Sequence, residues 1–161
     1  MQYIREPKRE HSACVLCDYC DCQPTRQSLV LVQQPDCFVV LNKYPYVSSH
    51  LMVVSRRHVS DMADLTSSQW TALWHAVREA STRLCSATKA QGLNVGLNLG
   101  VVAGAGIDQH LHVHLVPRWQ GDNNFMPVIA DARVLPEYLE ETWDYLRPHF
   151  EDLDGDRGAP R

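Results

Sequence analysis

Hydrophobic positions along the chain follow two different periods, and the changes between them mark out its elements. Leu29 to Val32 and Phe38 to Leu41 are apolar, β-branched runs separated by Gln34, Pro35 and Asp36. Two such runs flanking a turn signal predict a hairpin, with strands over 28–33 and 37–41. Asn42, Lys43, Tyr44 and Pro45 end the second strand, and residues 50–55 form a third. Then the spacing becomes helical. Thr66 with Gln69 three residues later is a capping box, and Trp70, Leu73, Trp74, Val77, Leu84 and Cys85 recur at steps of three and four up to Gly92. Leu93 to Leu99 alternates again and predicts a fourth strand, followed by a Gly-rich loop from Gly100 to Asp108. Residues 126–130 read as a short strand or core plug, and 136–150 as a closing helix with Leu139, Trp143 and Leu146 inward and Pro148 interrupting its last turn.

The most informative alternation lies between the loop and Pro117. His110, His112 and His114 alternate there with Leu111, Val113 and Leu115. Period two in an extended strand places the histidines on one face and the aliphatics on the other, with the imidazoles about 6 to 7 Å apart. An amphipathic helix is excluded, because residues two apart on a helix point in different directions. Such a row is compatible with a solvated sheet face, a set of metal ligands or a catalytic centre.

Grouped strands with one long helix between them predict α+β architecture: an antiparallel sheet of about five strands, one long helix and a C-terminal helix. A length of 161 residues fits one domain over 1–150, with residues 1–13 as an N-terminal arm and 151–161, charged and rich in Gly and Pro, as a disordered tail. A formal net charge of −4 leaves no basic footprint for a nucleic-acid polymer or an anionic membrane. No apolar run reaches the ~20 residues of a membrane span, and the first ten residues lack the apolar core of a signal peptide, so a cytoplasmic protein is expected. Four cysteines, Cys14, Cys17, Cys20 and Cys22, crowd into nine residues, which reads as metal binding rather than a disulfide framework. Zn²⁺ needs four ligands, so either Cys20 and Cys22 join the Cys14/Cys17 pair or two ligands come from elsewhere.

The run from His110 to Val116 matches without a gap the motif of the histidine-triad (HIT) nucleotide hydrolases and transferases, which the chain resembles. Further matches stand in the family's order: Val40–Pro45, Ser49–Val54, Arg57–Val59 and Gly96–Gly100. The stretch Pro117 to Pro127, with Arg118, Trp119, Gly121, Asp122, Asn124 and Phe125, is similar to the bacterial branch that includes dinucleoside tetraphosphate phosphorylases. The resemblance covers roughly residues 10–150. It implies a HIT-like fold, a homodimer or higher homo-oligomer, a small-molecule nucleotide as partner, and no organic cofactor. It assigns His112 as the nucleophile, His114 as its neighbour on the phosphate and His50 as a residue bonding the triad from behind. Asn42 is implied at the ribose, although Asn is equally a turn former there. Asn98 and the loop residues Gly104, Ala105, Gly106 and Ile107 are implied at the phosphates, and Trp119 stacks on a base or packs at a dimer edge. The remote option for a structural zinc is Cys14, Cys17, His58 and His110. In one place the chain departs from the pattern: Gly106 and Ile107 replace the usual Gln followed by Ser or Thr, so backbone N–H groups must supply phosphate contacts.

The chemistry expected is nucleotidyl transfer through a covalent histidine, since a neutral imidazole is a competent nucleophile near pH 7. Phosphate as acceptor makes the protein a phosphorylase, giving ATP and ADP from diadenosine tetraphosphate; water makes it a hydrolase, with a nucleoside phosphoramidase as a related alternative. A metal-dependent binding or regulatory module, with all three triad histidines on a metal, is the non-enzymatic alternative.

Overall fold

The computed structural model describes residues 14–122 and 139–154. The expected arm over 1–13, the short strand or plug over 126–130 and the last part of the expected tail lie outside them. Among the described residues five strands form one sheet: β1 (Val30–Gln33), β2 (Cys37–Leu41), β3 (Leu51–Ser55), β4 (Gly92–Gly96) and β5 (His112–Arg118). Their order is β1-β2-β3-β5-β4, and every neighbouring pair is antiparallel. The expected α+β class holds. A long helix, α1 (Ser67–Thr88), connects β3 to β4, and a second, α2 (Leu139–Leu146), follows the sheet.

Each boundary has a local cause. α1 opens on the anticipated capping box: the Gln69 N–H donates to the Thr66 hydroxyl, and the Thr66 N–H to the Gln69 side-chain oxygen. It stops at Thr88, short of Gly92, because Lys89 turns left-handed with φ 55°. β4 is shorter than the alternation of 93–99 suggested, since Leu97 to Gly100 already leaves the sheet for the loop. Near Pro148 the C-terminal helix tightens into a 3-10 turn over Arg147–His149, as the ring demands.

β1, β2 and β3 are buried at every position. The core joins their aliphatics to Leu73, Val77, Ala80 and Leu84 of α1, to Val113 and Leu115 of β5, and to Leu146 and Phe150 beyond the sheet. β1 is an edge strand, and the C-terminal segment covers its outer rim. The Trp143 indole N–H donates to the Val30 carbonyl at 2.7 Å, Arg147 donates to the Leu31 carbonyl, and Asp154 accepts the Gln33 N–H at 3.1 Å. Residues 151–154 are therefore not the tail expected from their composition: Glu151–Leu153 is a 3-10 turn, and Asp152 pairs with Arg83 of α1 at 2.8 Å. Charge and glycine content suggested a solvated end, but the Asp152 and Asp154 carboxylates have cationic and N–H partners on the domain.

Gln33, fully buried, binds the N-terminal turn to the sheet. Its amide donates to the Tyr19 and Cys22 carbonyls at 2.8 and 3.0 Å, and its oxygen accepts from Arg56 at 2.7 Å. If residues 139–154 belong to the cooperative unit, Phe150→Ala loses about 3–5 kcal/mol in urea unfolding, whereas the exposed Glu151→Ala stays within about 0.5 kcal/mol. Equal, small losses for both would mean the segment is only loosely attached.

Candidate active site and metal centre

β5 lies between β3 and β4, so hydrogen bonds on both sides set its register. His114 stands opposite Met52 and Gly96, and His112 opposite Val54. With no side chain at Gly96, the β4 side of His114 is open. The ring centroids of His112 and His114 are 4.8 Å apart and edge-to-face, closer than the strand rise alone gives, because the imidazoles lean together. His110 does not complete the row. It precedes the first paired residue of β5 and is almost fully buried, with its ring turned toward the N-terminal cysteines.

Backbone contacts fix the proton on three of the imidazoles. A carbonyl only accepts, so the Nδ1 of His112, 2.7 Å from the His110 carbonyl, carries the hydrogen and Nε2 keeps its lone pair. By the same reasoning the Nε2–H of His110 donates to the Ser55 carbonyl at 2.6 Å, leaving Nδ1 bare. His50 enters from the turn before β3, where Ser49 is left-handed with φ 63°, and is fully buried. The Tyr46 N–H donates to His50 Nδ1 at 3.2 Å, and His50 Nε2 lies 3.0 Å from His114 Nδ1. Burial pushes His50 down to about 3, with the His114 and His112 rings adding to the effect. His114 is pushed down to about 4, by burial and then by His112. Both are neutral at pH 7.

The remaining expected substrate residues are distributed unevenly. Asn42 meets the histidine cluster: its Oδ1 accepts the Tyr44 N–H at 2.9 Å, and its Nδ2 lies 3.3 Å from His50 Nδ1. Asn98 is half-buried in the loop, with its Nδ2 3.4 Å from the Gly104 carbonyl. Gly104 takes φ 86°, and its N–H is already given to the Val101 carbonyl at 3.0 Å. It shapes the loop rather than offering a donor. The N–H groups of Ala105, Gly106 and Ile107 make no hydrogen bond among the described residues. Trp119 is not brought to the histidines. It lies past the far end of β5, five residues from His114 or roughly 16 Å by strand rise, and its N–H is held by Asp122 at 3.0 Å. Tyr46, which no periodicity singles out, is the addition: its ring stacks on His50 at 4.8 Å and lies 6.0 Å from His114.

Beside the histidines is a second cluster. The Leu111 N–H donates to the Val59 carbonyl and its carbonyl accepts from Ser55, so residues 55–59 run alongside the entry to β5 and bring His58 to His110. Cys14, Cys17, His58 and His110 then place four ligand atoms within 4.8 Å of one another. Cys17 Sγ lies 3.1 Å from His58 Nδ1 and 3.5 Å from His110 Nδ1, and Cys14 Sγ lies 3.3 Å from His110 Nδ1. Tetrahedral zinc sets S···N separations of about 3.5 Å from its bond lengths, and two thiols with two imidazoles are an ordinary zinc donor set. The bare His110 Nδ1 suits a ligand. Burial and the adjacent Cys14 push the Cys17 thiol up to about 11, so paired thiolates here need a cation. The local four-cysteine option is set aside: the Cys20 thiol donates to the Leu16 and Arg56 carbonyls and that of Cys22 to Asp18.

An antiparallel sheet carrying a histidine strand beside a bonded histidine pair defines the class of protein. A family model, the HIT domain, matches residues 23–121, and the chain belongs to this family. It is 42% identical over 116 residues to the AP-4-A phosphorylase of Mycobacterium tuberculosis, a match spanning 72% of this chain and 60% of that protein's length. It is 30% identical over 128 residues to a bifunctional bis(5'-adenosyl)-triphosphatase/adenylylsulfatase of Arabidopsis thaliana, covering 80% of this chain and 67% of that one. Among solved structures it is similar to a Zn-bound histidine triad family protein from Mycobacterium smegmatis, with TM-score 0.68 and 22% identity over 88% of this chain and 95% of the other, a likeness of fold.

His50 leads to a pH prediction. Its folded value lies well below the ordinary imidazole value, so between about pH 6.5 and the folded value near 3 the unfolded chain binds a proton that the folded one refuses. Stability therefore falls as the solution is acidified through that window. Urea unfolding between pH 7 and 5 has an average slope about 0.9 kcal/mol per pH unit steeper in the wild type than in His50→Gln, approaching about 1.4 toward pH 5. Parallel slopes would mean that His50 titrates normally.

Proposed function

We propose that the protein transfers a nucleotidyl group from a dinucleoside tetraphosphate to inorganic phosphate through a covalent His112 intermediate. The observation that carries this reading is the bare Nε2 of His112, held by the Nδ1–H bond to the His110 carbonyl beside a neutral His114. Attack by that lone pair on the α-phosphorus of diadenosine tetraphosphate forms a P–N bond and breaks the P–O bond to the leaving ATP. ATP departs as an anion and needs no proton. The adenylylated imidazole keeps its Nδ1–H, and the His110 carbonyl accepts from it as positive charge spreads over the ring. A phosphate oxygen then attacks the same phosphorus, releasing ADP and restoring His112. His114 donates to a phosphoryl oxygen, His50 backs it, and Asn98 with the Ala105, Gly106 and Ile107 amides takes the spreading negative charge.

The preference for phosphate over water as acceptor is supported by the 42% identity to the mycobacterial AP-4-A phosphorylase. A hydrolase or phosphoramidase keeps the same first step. The binding-module alternative requires His112 on a metal, but the metal-type cluster contains only His110 of the triad. Zinc is the ion proposed for Cys14, Cys17, His58 and His110, as the Mycobacterium smegmatis relative is described as Zn-bound. There it would act as a structural clasp between the N-terminal turn and the start of β5. β4, an edge strand near the exposed Val95, Val101 and Val102, is the face proposed for a second copy, so light scattering should return twice the chain mass. No helix among the described residues is long and apolar enough to cross a membrane.

Product analysis with diadenosine tetraphosphate tests the acceptor: ATP plus ADP only when phosphate is added supports phosphorolysis, whereas AMP plus ATP without phosphate makes the protein a hydrolase. His112→Ala removes turnover by several orders of magnitude while nucleotide binding remains, and retained turnover would sink the assignment. Metal analysis is expected to find about one zinc per chain in the wild type and a substantial loss in Cys17→Ser, with a lowered Tm. Unchanged zinc in that variant would place the ion elsewhere.

A further inference from the structure

The proposed reaction leaves the contacts of Asn42 and Tyr46 with the histidine pair without a role, and that of Tyr46 is the more direct. We propose that Tyr46 is a positioning residue whose main-chain N–H sets the proton of His50 and, through it, turns the protonated nitrogen of His114 toward the substrate. The inference rests on the reading that His114 works at the phosphate.

An imidazole nitrogen that accepts a backbone N–H cannot carry its own proton. His50 Nδ1 accepts from Tyr46 at 3.2 Å, so neutral His50 carries its proton on Nε2. That nitrogen is 3.0 Å from His114 Nδ1, which must therefore accept, leaving the proton of neutral His114 on Nε2. The chain of donors runs one way: Tyr46 N–H to His50, His50 to His114, His114 outward. The opposite arrangement would turn a lone pair toward anionic phosphoryl oxygens. No proton changes owner in the relay; His114 donates a hydrogen bond and keeps its hydrogen.

Asn42 acts in the same sense but less directly. The Tyr44 N–H on its oxygen orients the carboxamide, so the Asn42 NH₂ faces His50. It lies 3.3 Å from Nδ1 and 3.5 Å from Nε2, between the two nitrogens rather than along either lone pair. The Tyr46 amide is left as the deciding donor. The Tyr46 ring, stacked on His50 with planes 27° apart and itself 66% exposed, forms the outer wall over the pair.

Long-range proton–nitrogen correlation spectra of the full chain, labelled with ¹⁵N-histidine, test this directly at pH 7. The expected pattern is Nε2–H on His50 and His114 and Nδ1–H on His112. Tyr46→Pro removes the N–H together with the ring and is expected to mix the His50 and His114 tautomers and lower kcat about 100-fold with KM little changed. Tyr46→Ala keeps the N–H and is expected to keep the wild-type tautomers. If Tyr46→Pro does not fold, the wild-type spectrum still decides: Nδ1–H on His114 overturns the relay. So does an unaltered pattern in folded Tyr46→Pro. The expected tautomers in a protein that cleaves no dinucleoside polyphosphate uphold the relay and remove the reaction it was read to serve. A reversed His114 in an active enzyme does the opposite.

Discussion

A neutral imidazole has two ring nitrogens and one proton, so every buried histidine must find one acceptor for its N–H and one use for its lone pair. Four histidines of this chain, His50, His110, His112 and His114, are packed around one end of β5, and a hydrogen bond assigns one ring nitrogen of each. Main-chain groups make three of the choices: the carbonyls of Ser55 and His110 and the N–H of Tyr46. Once these are made, the free lone pairs fall where chemistry can use them, at His112 Nε2 and His110 Nδ1. Burial removes the remaining ambiguity, since a doubly protonated ring at His50 or His114 would be a charge with no carboxylate beside it among the described residues.

The scaffold keeps those main-chain groups still. β5 is bonded on both sides, the Leu111 backbone is tied to Ser55 and Val59, and the outer rim of β1 is covered by Trp143, Arg147 and Asp154. Gln33 reaches from that same strand to the turn carrying Cys14 and Cys17. The metal-type cluster and the histidine pair are thus parts of one packed unit, joined at His110, whose side chain faces the cysteines while its carbonyl faces His112.

Much of this was legible in the chain, because periodicity reports faces. Period two placed His112 and His114 together on a strand, and the Thr66/Gln69 box located the start of α1. Where the reading fell short, the deciding contact was remote or lacked a side-chain signature. His110 belongs to the alternation, yet it precedes the paired strand, and the proximity of residues 55–59 turns its ring to another partner. Asp152 and Asp154 look solvated until Arg83 and the Gln33 N–H are placed beside them. Spacing alone left Cys20 and Cys22 as candidate ligands; a 3-10 turn over Cys17–Tyr19 sends their thiols to backbone carbonyls instead. Tyr46 escaped notice because its contribution is an N–H that almost any residue would provide.

That last point bears on how such a centre drifts. A carbonyl or N–H cannot be deleted by exchanging one side chain for another, proline aside. The proton arrangement at the histidine pair therefore persists while residues 46 and 55 vary, provided the backbone path is retained. Alanine scanning would register the rings and pass over the groups that orient them. In this chain the arrangement is inherited largely through the path of the backbone, with residue identity at positions 46 and 55 secondary.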